Sequence, residues 1–363
     1  MPSIFNYTRQ ALGQLLNDWG HSPFRSKQIF HWIYHRNCID FSLMDNIPKT
    51  LRCLLNDRLS TALPAIKHES ESECGTIKWL FDTGAGNAIE TVYIPESNRG
   101  TLCVSSQVGC ALACQFCATG LSGFMRNLST AEILTQVWHA RHMIQTRFKN
   151  ARPITNVVFM GMGEPLLNER NVFDAVDILL DDHAFGLSKY RVTVSTSGIV
   201  PSIKRLIKHC QAALAVSLHS AIPTTRDYLV PINKKHTLTQ LMEACDLYTQ
   251  TTNRGITYEY VMLDQLNDTL VEAKAVANLL KNRKAKVNLI PYNTVSGLEL
   301  TPSTDYSITT FQQHLQQHGI VTTVRKTRGQ KIDAACGQLY GQVIDRKKSI
   351  QSYQFKSSTD IPN

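Results

Sequence analysis

The 363-residue sequence has no run of about 18 apolar residues, so no membrane-spanning helix is expected. Its first residues, Met1-Pro-Ser-Ile-Phe-Asn-Tyr-Thr-Arg9, lack the apolar core of a secretory leader. There is no internal repeat beyond an alternation of strands and helices, and no low-complexity segment. Charge is sparse: 18% of residues are Asp, Glu, Lys or Arg and 43% are hydrophobic, which implies a packed core. Bases exceed acids modestly, 38 Lys plus Arg against 29 Asp plus Glu, for a net charge of +9. Such an excess suits a polyanion such as RNA without requiring one. Ten cysteines without a leader read as thiols of a reducing cytosol, serving metals or catalysis. A cytoplasmic location is therefore expected.

The length accommodates one large domain and a small one. Residues 1–75 read as a helical accessory domain. Leu12, Leu15, Leu16 and Trp19 recur at helix spacing. A second helix is expected over 23–35, with Phe24, Ile29, Trp32 and Ile33 as apolar contacts and Arg25, Lys27, His31 and His35 as bases. A third opens near Pro48. This part is a candidate RNA platform or an ordinary helical cap. Residues 76–100 read as a β-hairpin that turns at Gly84, Gly86 and Asn87. From residue 101 to 346, strand candidates alternate with helix candidates. Six βα units predict an α/β fold, its parallel sheet curved as a partial (β/α)6 barrel or doubly wound, with active groups on loops after the strand C-termini. Residues 347–363 read as a tail.

Cys110, Cys114 and Cys117 stand in Cys-Ala-Leu-Ala-Cys-Gln-Phe-Cys, a C-x3-C-x2-C run. A cubane iron–sulfur cluster usually takes four thiolates. Three leave one iron free to bind a small molecule, and this spacing resembles that of the radical S-adenosylmethionine (radical SAM) enzymes. Structural zinc is the plain alternative, but it wants four ligands, usually as two knuckles, and no second knuckle is visible. His139 and His142 lie in a long amphipathic stretch and read as surface-facing.

Other candidates fall at expected strand ends. Gly161-Met-Gly163-Glu164-Pro165 offers close backbone approach and a carboxylate for an ammonium. Ser195, Ser217, His219 and Asn293 offer hydroxyl, imidazole and amide groups, although Ser and Asn also form caps and turns. Cys103 precedes the cysteine loop. Cys336 follows a basic stretch containing Arg325, Lys326, Arg328 and Lys331, which favours a thiolate and attracts phosphate. Cys38, Cys53, Cys74, Cys210 and Cys245 read as small apolar residues.

Several segments stand in order: Glu90-Thr-Val-Tyr-Ile-Pro-Glu, Leu-Cys103-Val-Ser-Ser-Gln-Val-Gly-Cys110, Gly123-Phe-Met-Arg-Asn-Leu, Met160-Gly-Met-Gly-Glu-Pro-Leu-Leu-Asn168, Ser-Thr-Ser-Gly198, Ser-Leu-His-Ser220, Leu-Val-Pro-Ile-Asn233 and Ile-Asp-Ala-Ala-Cys336-Gly-Gln-Leu. Together they closely resemble the RlmN/Cfr radical SAM family of RNA adenosine methyltransferases, from about Pro23 to Arg346. Glu-Thr-Val-Tyr-Ile-Pro-Glu and Arg-Lys-Thr-Arg-Gly resemble the RlmN branch. The segment after Asn293, Thr-Val-Ser-Gly-Leu-Glu-Leu, departs from the Pro-Phe-Pro-Gly often found there. The resemblance implies a [4Fe-4S] cluster on Cys110, Cys114 and Cys117. It implies SAM contacts from Gly163, Glu164, Ser195, Ser217, Leu218, His219 and Asn293, and two SAM consumed per turnover. Cys336 would be methylated, then activated by a 5′-deoxyadenosyl radical to add to adenine C2. Glu90 would take the C2 proton, and Cys103 would release the product by forming a disulfide with Cys336. The implied partners are 23S rRNA, tRNA and an electron donor such as flavodoxin, with the chain a monomer. The rival readings are methylation at C8, a radical SAM enzyme with a non-RNA substrate, and a zinc-dependent RNA-binding module.

Overall fold

The computed structural model describes residues 1–147, 154–326, 332, 334 and 337–339. Helix α1 (Arg9–Asp18) begins where Thr8 Oγ1 accepts a hydrogen bond from Ala11 N at 3.2 Å, and it buries Leu12 and Leu16 one turn apart. Helix α2 (Arg25–Phe30) runs directly into a π-helical turn, His31–His35. Sequence periodicity anticipates one helix here. The wider turn instead buries Trp32, Ile33 and Tyr34 in succession, which a 3.6-residue period would spread over different faces. Phe24, expected as an apolar contact, is 56% exposed. Helix α3 (Lys49–Arg58) follows Pro48 and buries Leu51 and Leu55.

These helices are tied to the remainder by specific bonds. Trp138 Nε1 donates to Ile33 O at 3.0 Å, Ala131 N donates to Asn6 Oδ1 at 2.8 Å, and Arg9 pairs with Asp181 at 2.7 Å.

Strands β1 (Ile66–Glu71), β2 (Ile77–Gly84), β3 (Asn87–Pro95) and β4 (Gly100–Cys103) pair antiparallel in that order. The β2–β3 hairpin was legible, and β1 was not. Its run Ile-Lys-His-Glu-Ser-Glu is polar, as suits the edge of a sheet. The short strands β5 (Gln107–Gly109) and β6 (Phe124–Asn127) form a separate ribbon around helix α4 (Ala118–Leu121). They too escape prediction, because three or four residues give no periodicity.

The chain then alternates: α5 (Thr130–Arg147), β7 (Ile154–Phe159), α6 (Glu169–Leu180), β8 (Val192–Thr196), α7 (Val200–His209), β9 (Ala213–Ser217), α8 (Pro223–Leu229), α9 (Leu238–Thr252), β10 (Ile256–Met262), α10 (Leu270–Leu280), β11 (Ala285–Pro291), α11 (Asp305–Gln317) and β12 (Val321–Val324). Strand β4 pairs in parallel with β7, and β7 to β12 continue in parallel in chain order. Helices pack outside: buried Gln136 of α5 accepts from Thr91 and from Ser105 N. One cavity of about 430 Å³ is lined by Ile94, Thr101, Asn156, Thr193, Ala215, Thr257, Asn288 and Thr323, which come from eight different strands. A sheet can border one cavity from eight strands only by curling around it. Because β1 and β12 end the sheet, the barrel is open, as the partial-barrel expectation requires. Among the described residues, no helix is long and apolar enough to cross a membrane.

Candidate active site

The cysteine loop is shaped by its entrance and its exit. At the entrance Gly109 has φ 74, and a Cβ there would overlap Gly123 O, the acceptor of the Cys110 N–H at 2.8 Å. Within the loop, Ala113 adopts φ 51 and Cys117 N donates to Cys114 O at 3.1 Å. At the exit, Ala118 N donates to Gly337 O at 2.8 Å, and Thr119 Oγ1 donates to Leu339 O at 2.6 Å. This turn puts Cys110, Cys114 and Cys117 on the wall of one cavity of about 160 Å³. Burial pushes the Cys110 thiol up to about 12, and it raises Cys114 further with help from its two sister cysteines. Both thiols hold their protons until a metal displaces them.

The same cavity is lined by Gly161, Gly163, Glu164, Ser195, Ser217 and His219. Gly163 has φ 95, and a Cβ there would collide with the Gln107 side chain, whose Oε1 accepts from Glu164 N at 2.8 Å. Glu164 is buried. One carboxylate oxygen accepts from Leu166 N at 3.0 Å and the other from Ser197 N at 2.8 Å. Burial raises its pKa, and those N–H groups pull it back. The Thr196 and Ser197 hydroxyls pull in the same direction. His219 has φ 56, accepts from Val261 N at Nδ1 (3.0 Å), and meets the Phe116 ring at 4.5 Å. Burial, reinforced by Arg226, lowers its pKa to about 3, so the ring is neutral at physiological pH.

Two members of the expected SAM set lie elsewhere. Leu218 is fully buried behind the wall, where its N–H donates to Glu259 O at 2.9 Å and its carbonyl accepts from Arg226. Asn293 lines the larger lumen. The lumen and the thiol cavity share Met160, Glu259, Ile290, Pro291 and Arg325, so the two adjoin.

Cys103 lines a third, smaller space with Val92, Cys117, Met160, Gly161, Arg325, Ala334 and Gly337. Val92 is its partner across the β3–β4 pair. Glu90 lies two residues before Val92 on the same strand face, buried, with Lys78 Nζ at 3.5 Å. Cys336 lies outside the described residues, as do Arg328 and Lys331. Its described sequence neighbours Ala334 and Gly337 line the Cys103 space.

Sequence reasoning missed several residues here. Glu259 left a signal, being the one charge in Ile-Thr-Tyr-Glu-Tyr-Val-Met. Gln107, Phe116 and Arg226 left none. Some expectations need correction. His139 is half-buried, packed edge-on against Phe81 at 5.5 Å, because α5 is covered by the hairpin as well as the barrel. Cys53 and Cys74 are exposed, whereas Cys210 and Cys245 are buried as expected.

Among the described residues, no three His, Cys, Asp or Glu side chains gather in a group that could hold one metal ion. The three thiols share the wall of one cavity, close enough for Cys117 and Cys110 to raise the Cys114 thiol further.

The family described as the Radical SAM superfamily matches residues 104–275, and the ribosomal RNA large subunit methyltransferase N-terminal domain matches residues 3–60. A "Dual-specificity RNA methyltransferase RlmN" from Dichelobacter nodosus is 47% identical over 355 residues, covering 97% of this chain and 98% of the relative. A crystal structure of a radical SAM methyltransferase from Sphaerobacter thermophilus is 40% identical, covers 94% of this chain and 100% of that one, and superposes with a TM-score of 0.87. With the N-terminal domain, the barrel and the thiol loop all in place, the chain belongs to the RlmN family of radical SAM RNA methyltransferases.

Proposed function

We propose that the protein methylates C2 of an adenosine in both 23S rRNA and tRNA, consuming two SAM per methyl transferred. The observation that carries this reading is the adjacency of Cys103, Cys117, Gly161 and Gly337 around one space, with Cys336 next in sequence to Gly337. The similarity to a dual-specificity RNA methyltransferase from Dichelobacter nodosus supports two kinds of RNA substrate.

Cys110, Cys114 and Cys117 would hold a [4Fe-4S] cluster, which supplies the electron that cleaves SAM. Glu164, Ser195, Ser217 and His219 would orient SAM, with Gly163 giving the backbone room to approach it. Adenine C2 is electron-poor and its C–H is not acidic, so polar methylation fails there. Cys336 would bond to the methyl carbon of one SAM and release S-adenosylhomocysteine, and a second SAM would supply the radical that removes a hydrogen from that methyl so that it can add to C2. Glu90 accepts the C2 proton, and the nearby Lys78 ammonium favours the ionised carboxylate that this needs. Cys103 then attacks the Cys336 sulfur and releases the RNA, leaving a disulfide that needs reduction before the next turnover. An electron donor such as flavodoxin, a cytoplasmic setting and a monomeric chain complete the reading.

Two variants test the assignment. Cys103→Ala protein incubated with RNA, SAM and reductant is expected to trap a covalent RNA adduct; no adduct contradicts the resolving role. Cys336→Ala protein is expected to keep its iron and sulfide yet transfer no methyl, and normal turnover removes Cys336 from the reaction. Adenosine deuterated at C2 or C8 identifies the carbon, with label loss expected at C2.

A further inference from the structure

We propose that Glu259 binds the ribose of SAM, its carboxylate accepting hydrogen bonds from the 2′- and 3′-hydroxyls. The inference rests on the reading that the thiol cavity holds SAM. Glu259 sits mid-strand on β10 and is 6% exposed. It lines both the thiol cavity and the adjoining lumen. In register it faces Ser217 on one side and Asn288 on the other. Asn288 Nδ2 donates to Glu259 Oε2 at 2.8 Å, and Thr323 Oγ1 donates to Asn288 Oδ1 at 3.2 Å. A chain of side chains from three neighbouring strands therefore aims the carboxylate at the boundary of the two spaces.

Packing alone does not ask for this group. An apolar residue would fill the strand position, and a buried carboxylate is costly unless something donates to it. Burial raises the pKa of Glu259, and the Asn288 amide, Arg325 and Lys286 oppose that rise. No cluster cysteine lines the lumen, so Glu259 marks the end of the cavity away from the thiols. The amino-acid end of SAM belongs with the iron, which leaves the nucleoside end for Glu259. A vicinal diol offers two adjacent O–H donors that match the two oxygens of a carboxylate, the pairing by which an acidic residue takes ribose in dinucleotide folds. An internal RNA nucleotide has its 3′-oxygen esterified and presents no free diol. The ligand is therefore the cofactor, not the RNA substrate.

The test compares SAM with 2′,3′-dideoxy-SAM, by equilibrium binding to anaerobically reconstituted wild-type, Glu259→Gln and Glu259→Leu proteins. Wild type is expected to prefer SAM by roughly 10- to 100-fold, the span set by hydrogen bonds to a charged group. The preference should shrink in Glu259→Gln and vanish in Glu259→Leu, while dideoxy-SAM binds all three alike. Equal weakening of both ligands in the variants overturns the proposal in favour of a packing role. Wild-type protein that binds both ligands equally overturns it without any variant. Wild-type protein that binds neither ligand defeats the cofactor reading itself, a different result.

Discussion

At His219 a ring held in the left-handed backbone region meets the cavity without a charge. In the unfolded chain the same ring takes up a proton below about pH 6.5. The folded pKa is depressed, so its contribution to stability is full above pH 6.5 and is lost as pH falls toward 3, by up to about 1.4 kcal/mol per pH unit. Urea unfolding of His219→Asn protein between pH 7 and 5 should therefore show a shallower loss of stability than wild type, and identical slopes would contradict the assignment. Gly163 gives a second residue-scale expectation. Gly163→Ala puts a Cβ against Gln107 at positive φ, costing roughly 1–3 kcal/mol and disturbing the Glu164 N–H contact. Gly86→Ala, at φ 78 in the hairpin turn with nothing within 4 Å, should incur only the backbone part of that cost. Paired thermal melts separate the two, and equal losses would contradict the crowding at Gly163. Both His219 and the Gly-x-Gly pair were legible as strand-end residues. The strain at His219 was not, because it depends on Asn267, 48 residues later, whose Nδ2 donates to His219 O at 2.7 Å.

Between elements, Arg226 joins the ends of β8 and β9. It is fully buried on α8, and its guanidinium donates to Ser197 O and Ser217 O at 2.8 Å each, to Leu218 O, and to Asn233 Oδ1 at 3.0 Å. Burial lowers its pKa to about 10, so it remains a cation at neutral pH. Arg226→Met leaves these acceptors without a donor, a loss of roughly 3 kcal/mol or more at about 1–3 kcal/mol for each unsatisfied group. Chemical denaturation checks it, and a loss below about 1 kcal/mol would mean that the acceptors find other donors. Nothing in Pro-Thr-Thr-Arg-Asp-Tyr-Leu announces this residue, because short helix α8 lacks a readable period and the carbonyls it serves come from other strands. The βα alternation itself was readable, since buried parallel strands such as Val157–Phe159 and Ala213–Val216 are short apolar runs. The π turn at His31–His35 was not, because its sequence also fits an ordinary helix.

For the molecule as a whole, eight strands of the ten-stranded sheet curl so that the cysteine loop, the glycine turn and the ends of β8 to β11 face a continuous interior. The spacing Cys110-x3-Cys114-x2-Cys117 already pointed to an open-cornered cluster, and the fold adds what spacing lacks, the cavity that would admit SAM beside it. The Cys103–Cys336 pairing stayed a matter of family resemblance in the sequence, since 233 positions separate the two residues. The most direct measurement is anaerobic reconstitution followed by iron and sulfide analysis, reduction with SAM, and nucleoside mass spectrometry of added RNA. The account expects four irons and four sulfides per chain, reductive cleavage of SAM, and 2-methyladenosine in the RNA. A protein that carries zinc alone, or a cluster that leaves SAM whole when reduced, would contradict it.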